Sequence, residues 1–247
     1  MRNQNWFAAW LDFAIVVIGI LIAFQITNWS ARQDNKKTAR EYIERIQEDL
    51  LANQEDIKSR IGYYEGIKNH GIRTLSALEQ PREELGGAFL VDAYQASNVI
   101  AKPIGRDAYD ELLSVGAINI ITDVQVRKHL AEYYYTNAGF SLIIETIPAY
   151  RNAVRSVIPF DVQVEIRSQC RPIVDVVETG IRSISLPESC VVDLADEQVQ
   201  RSVGKIYDAE LKNHLTRAVV DAREKQDLYE GIIFFSQQLY DILEDAK

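Results

Sequence analysis

The segment that most constrains this chain is its first thirty residues. From Phe7 to Ile26 it reads FAAWLDFAIVVIGILIAFQI, with Asp12 and Gln25 as the polar residues in the run. As a helix, Phe7 to Trp29 would cover about 35 Å, enough to cross a hydrocarbon core of about 30 Å with some tilt. All three tryptophans lie here, Trp6 and Trp10 at one end and Trp29 at the other. Trp10 and Trp29 are separated by about 28 Å of helix rise, so the two ends match the two interfacial aromatic belts. A buried core helix has no reason to collect every tryptophan at those depths. A cleavable signal peptide needs small residues in an A-x-A-like pattern, whereas this run ends in Gln25, Asn28 and Trp29. The sequence therefore predicts an uncleaved transmembrane anchor over residues 1–30, with the lipid bilayer as its first partner.

One face of the anchor differs from the rest. At about 100° per residue, Ala8, Asp12, Gly19, Ala23 and Ser30 fall within a stripe about 60° wide. Gly19 and Ala23 form a small-xxx-small pair that lets a second helix approach closely. Asp12 is costly against lipid and better placed against a partner or near the headgroups. Ala8, Asp12, Gly19 and Ala23 are thus the candidate membrane-helix interface, and Trp6, Trp10 and Trp29 the interfacial anchors. The competing reading is compositional: Gly and Ala are common in such helices, and Asp12 lies close to one end.

Residues 31–247 read as one helical soluble domain. The anchor runs without a Pro or Gly break into a segment where Ile43, Ile46, Leu50, Ile57, Ile61 and Tyr64 recur at helical spacing. A long amphipathic helix is expected to about Leu78, ahead of Pro81. Its expected partner is the C-terminal segment, where Leu211, Leu215, Ala218, Ala222, Tyr229, Ile232, Leu239 and Leu243 follow the same period. The two would pair antiparallel and bring the C-terminus back toward the membrane. Shorter helices are expected at Phe89–Val99 and Asp107–Leu113, the latter ending near a left-handed cap at Gly116. A capping box at Thr122–Gln125 should start a helix that carries Tyr133, Tyr134 and Tyr135 and that Pro148 ends or kinks. An irregular excursion richer in Val, Ile and Pro is expected around residues 165–195. The fold class is mostly α: a transmembrane helix continuing into a long-helix bundle.

Little in the chain points to chemistry. The net charge of −9 argues against nucleic acid, whose binding rests on neutralising phosphates with Lys and Arg. His70, His129 and His214 stand far apart, with no cluster of three or four ligands around any of them, which argues against a metal site. No glycine-rich phosphate loop, HExxH motif or nucleophile elbow occurs. The expectation is a non-enzyme without catalytic, cofactor-binding or metal-binding residues.

The two cysteines, Cys170 and Cys190, bracket a loop-like stretch. In an exported domain such a pair reads as a disulfide; in the cytosol they would be thiols. The flanking charges point the other way. Arg32, Lys36, Lys37, Arg40 and Arg45 follow the span, against Arg2 before it, and the positive-inside rule would place the domain in the cytoplasm.

Three blocks carry a resemblance. They are FAIVVIGILIAFQITNW just after Asp12, EYIERIQEDLLANQEDI, and the central YDELLSVGAINIITDVQVRKHLAEYY. In order and spacing they resemble a widespread uncharacterised bacterial family of single-span membrane proteins. Matching positions include Asp12, Gly19, Ala23, Gln25, Asn28, Trp29, Leu112, Gly116 and Tyr133, and the likeness covers the first 80 or so residues and the central block. Members begin with a more basic tail than the lone Arg2 here. The resemblance implies an inner-membrane protein with its domain outside, in the periplasm, and supplies no catalytic residues. The expected function is an accessory or scaffolding subunit that docks on an integral membrane protein partner or on copies of itself. The alternative is a single-span ligand sensor working through a partner chain, with Tyr133, Tyr134, Tyr135 and Arg151 lining a pocket between helices.

Overall fold

The computed structural model describes residues 4–100, 102–176 and 182–246. Helix α1 (Gln4–Ala77) is one rod of 74 residues, about 110 Å at the α-helical rise. No proline interrupts it, so each interior turn keeps its hydrogen bonds. The apolar window near its start is not buried by any other part of the chain. Phe13, Leu21, Ile18, Ile15 and Val16, which point in turn around the helix, stand exposed over the whole circumference. An apolar surface of that extent suits lipid rather than water, and α1 anchors the protein in a membrane. Among the described residues it is the one helix long and apolar enough to span a bilayer.

Burial on α1 begins at Ala39. Between Trp29 and Ala39 the rod therefore crosses about 15 Å as a bare stalk. Beyond it, the predicted antiparallel partner is helix α8 (Lys212–Asp245). Gln47 donates to Tyr240 O at 3.2 Å, Gln54 to Ser236 Oγ at 3.1 Å, and Gln226 to Ile61 O at 3.1 Å. Lys212 pairs with Glu79 at the far end. This register returns α8 toward the membrane.

The remaining elements wrap this pair. They are α2 (Gly87–Gln95), α3 (Asp107–Ser114), α4 (Val124–Ile144), α5 (Ala149–Val157), α6 (Phe160–Gln169) and α7 (Asp196–Asp208). Strands β1 (Ile173–Val176) and β2 (Arg182–Ser185) pair antiparallel, Ile173 opposite Ser185 and Val176 opposite Arg182. Three apolar clusters follow one another along α1. Nearest the membrane, Ile43, Ile46 and Leu50 meet Leu112, Leu130 and Leu243. Ile57, Tyr64 and Ile67 meet Ile144, Tyr229 and Ile232 at mid-height. At the far end Phe89, Leu90, Val154, Ile166, Val203 and Leu215 close the bundle.

Two local expectations shift. The cap of α4 is Asp123 rather than Thr122: its carboxylate accepts from the backbone N–H of Gln125 and Val126 at 2.7 and 3.3 Å. A charged acceptor suits the positive end of a helix better than a hydroxyl. The expected Phe89–Val99 helix stops at Gln95. The irregular excursion lies beyond α6, which is regular helix through Gln169. Gly116 does take the left-handed conformation, φ 68°, that lets the chain reverse between α3 and α4.

Candidate functional site

The anchor helix offers its stripe without internal partners. Ala8, Asp12, Gly19 and Ala23 are exposed along one face, and a side chain built at Gly19 would meet nothing. Trp6, Trp10 and Trp29 project outward at the two ends of the apolar run. At its C-terminal end Thr27 donates to Ala23 O at 3.0 Å and Arg32 to Asn28 O at 3.2 Å, so polar side chains there are folded back onto the helix.

Above the stalk, polar side chains set into the apolar stripe of α1 clamp the loops. Asn53 makes two bonds with Gly105, donating to its carbonyl at 2.7 Å and accepting from its N–H at 3.0 Å. One turn lower Asp49 accepts from Ala108 N at 2.9 Å, and lower again Arg45 and Tyr42 bind the Glu111 carboxylate. Helix α3 is thereby zipped down α1 toward the membrane. Arg60, 1% exposed, donates to Lys102 O at 2.6 Å and Pro103 O at 3.2 Å and pairs with Asp56 at 2.5 Å. Its charge is neutralised inside the core while it fixes the 102–103 backbone.

The second clamp holds the cysteine loop. Cys170 and Cys190 form the disulfide, Cα–Cα 5.7 Å, closing the β1–β2 excursion. Buried His70 places Nε2 3.0 Å from Pro187 O, so this nitrogen carries the hydrogen, while Nδ1 faces Asp92 Oδ1 and Arg73 Nη2, each at 2.6 Å. Arg73 grips Asp92 with Nε and Nη2 at 3.0 and 2.8 Å and donates to Glu188 O at 3.1 Å. Burial opposes ionisation of Asp92, but the neighbouring His70 and the donors of Arg73 outweigh it and hold its carboxyl below the usual carboxylate range. Ser59 adds a two-way bond with Ile184, at 3.1 Å to the carbonyl and 2.6 Å from the N–H.

The tyrosines expected to line one pocket are dispersed. Tyr133 borders a groove of about 310 Å³ with His129, Glu132 and Phe235. Tyr134 borders a separate cleft of about 250 Å³ with Arg106, Asn137 and Ser141, and its ring stacks on Tyr109 at 4.0 Å. Tyr135 is 84% exposed, and Arg151 donates to Ser97 O at 2.8 Å instead. Helical spacing explains the split, since three consecutive residues point about 100° apart. Buried Asn137 has no hydrogen-bond partner for either amide atom. Buried Lys225 donates to Thr146 O at 2.6 Å, and desolvation lowers its pKa.

Among the described residues no group of three His, Cys, Asp or Glu side chains is disposed to hold a metal. Sequence reading found the cysteine pair but missed Arg60, His70, Asp92 and Asn53. The available signal was polar residues at core positions of the α1 repeat; their partners come from elsewhere in the chain. No family model matches this chain, and neither the curated proteins nor the solved structures contain a match.

Proposed function

We propose that this protein is a non-catalytic accessory or scaffolding subunit of a bacterial inner-membrane assembly, a member of the single-span family it resembles. Its domain lies on the periplasmic side. The observation that carries this reading is the unbroken α1, which serves as membrane span, stalk and central core helix at once. A domain built on its own anchor has its height and rotation set relative to whatever the anchor binds. A spacer or docking subunit depends on that rigidity. Exposed apolar side chains on the domain, among them Tyr135 and Leu142 on α4 and Phe234 on α8, offer further contact area. The Cys170–Cys190 bond supports the periplasmic placement, since such bonds persist in oxidising compartments.

The test is Gly19→Leu, which adds bulk to the small-residue face without lowering hydrophobicity. Insertion and domain folding should be unchanged, while chains that co-purify with the wild type in mild detergent, or its own oligomer, should be lost. Asp12→Leu should act in the same direction. Retention of every association by both variants would reject the anchor as the docking face.

A further inference from the structure

We infer that the turn between α3 and α4 is a second membrane contact: an apolar tip that rests in the headgroup layer of the bilayer that α1 spans. The tip is placed by the zipper on α1. Gly105 sits at Asn53, Ala108 at Asp49 and Glu111 at Arg45 and Tyr42, so α3 descends toward the membrane as its numbers rise. Ile120, Ile121 and Asp123 then share a groove with Lys36, Ala39, Arg40 and Ile43, and α4 ascends from there. The reversal over residues 113–124 is thus the part of the α3–α4 hairpin closest to the bilayer.

Beside Ser114, Asn119, Thr122 and Asp123, this turn exposes large apolar side chains. Leu113, Val115 and Val124 are 42, 61 and 60% exposed, and Ala117, Ile118 and Ile120 are only partly covered. A water-facing reversal is ordinarily polar. The height fits as well. Lys36 lies about 10 Å of helix rise above Trp29, and the headgroup layer extends about 5–7 Å beyond the hydrocarbon boundary where tryptophans sit. The remaining few ångströms are closed by a tilt of about 20°, average for a membrane helix, toward the side of α1 that carries the tip. Arg32, Lys36, Lys37, Arg40, Arg127 and Lys128 stand around this end, against Asp34, Glu41, Asp123, Glu244 and Asp245. With the signs nearly balanced, the contact is carried by aliphatic side chains and should not need anionic lipid.

The experiment uses the full chain in phosphatidylcholine nanodiscs that include lipid with a nitroxide on the headgroup. Val115→Cys, Val124→Cys and, as a control beyond the far end of α1, Glu83→Cys are each labelled with an environment-sensitive fluorophore, leaving the native disulfide oxidised. All three positions are exposed, and circular dichroism verifies the fold of each variant. Fluorescence at 115 and 124 should be quenched at least about twofold more than at 83, with a blue-shifted emission. Adding Val115→Glu to the Val124→Cys chain should reduce that excess. Quenching at 115 and 124 equal to that at 83 would overturn the inference.

Discussion

At the scale of single residues, stability here depends on charges set into a core helix. Asp92 is the clearest case because Arg73 holds its partly buried carboxylate with two donors and His70 Nδ1 lies 2.6 Å from it. Its folded pKa lies below the unfolded value near 3.8, so its contribution is complete above that value and is lost as pH falls through the folded pKa. Thermal stability should therefore drop as pH falls below about 4. In Asp92→Asn the drop should be smaller, and the variant should already be weakened by about 2–3 kcal/mol at neutral pH. Thermal melts of both proteins across that range check this; parallel curves would mean that other carboxylates carry the acid sensitivity. Arg60 belongs to the same class, with the difference that its partners include the backbone carbonyls of Lys102 and Pro103.

At the scale of elements, the α1–α8 pair depends on close approach at Gly71. A Cβ there would lie 2.5 Å from Val219 Cγ2 and 3.7 Å from Leu215 Cδ1. Gly71→Ala gains about 1 kcal/mol of helix propensity but pushes two packed helices apart, so a net loss of about 1–2 kcal/mol is expected in denaturant titration. Adding Val219→Ala should recover most of the helix contact; a stabilised single variant would show that Val219 turns aside freely. Both long helices were legible in the sequence, because the apolar period of Ile43 to Tyr64 and of Leu215 to Leu243 is sustained over many turns. The anchor was legible for a different reason, the placing of its tryptophans. The clamps were not, because local period carries no information on pairs such as Arg73 with Asp92, 19 residues apart, or His70 with Pro187, 117 apart. The β1–β2 hairpin was hidden by its brevity: four-residue strands alternate too briefly to be told from loop.

For the whole molecule, compartment and architecture meet in the disulfide. Cys170 and Cys190 close a loop pinned to α1 by Ser59, His70 and Arg73, so the bond joins the end of α6 to the segment leading into α7. Denatured, unreduced protein from its native membrane should show no free thiol, and reduction should cost about 3 kcal/mol of stability. Two labelled thiols would count against both the bond in the cell and the placement of the domain outside the inner membrane. The unbroken rod also has a mechanical consequence. From Trp29 to Ala77, α1 is a lever arm of about 72 Å, so a change of only about 10° in its lean would sweep the far end of the bundle sideways by about 12 Å. Lean responds to the match between the apolar stretch and the thickness of the surrounding bilayer, together with helix packing and the interfacial tryptophans. A small change in lipid thickness is thereby magnified into a displacement comparable to the width of a helix.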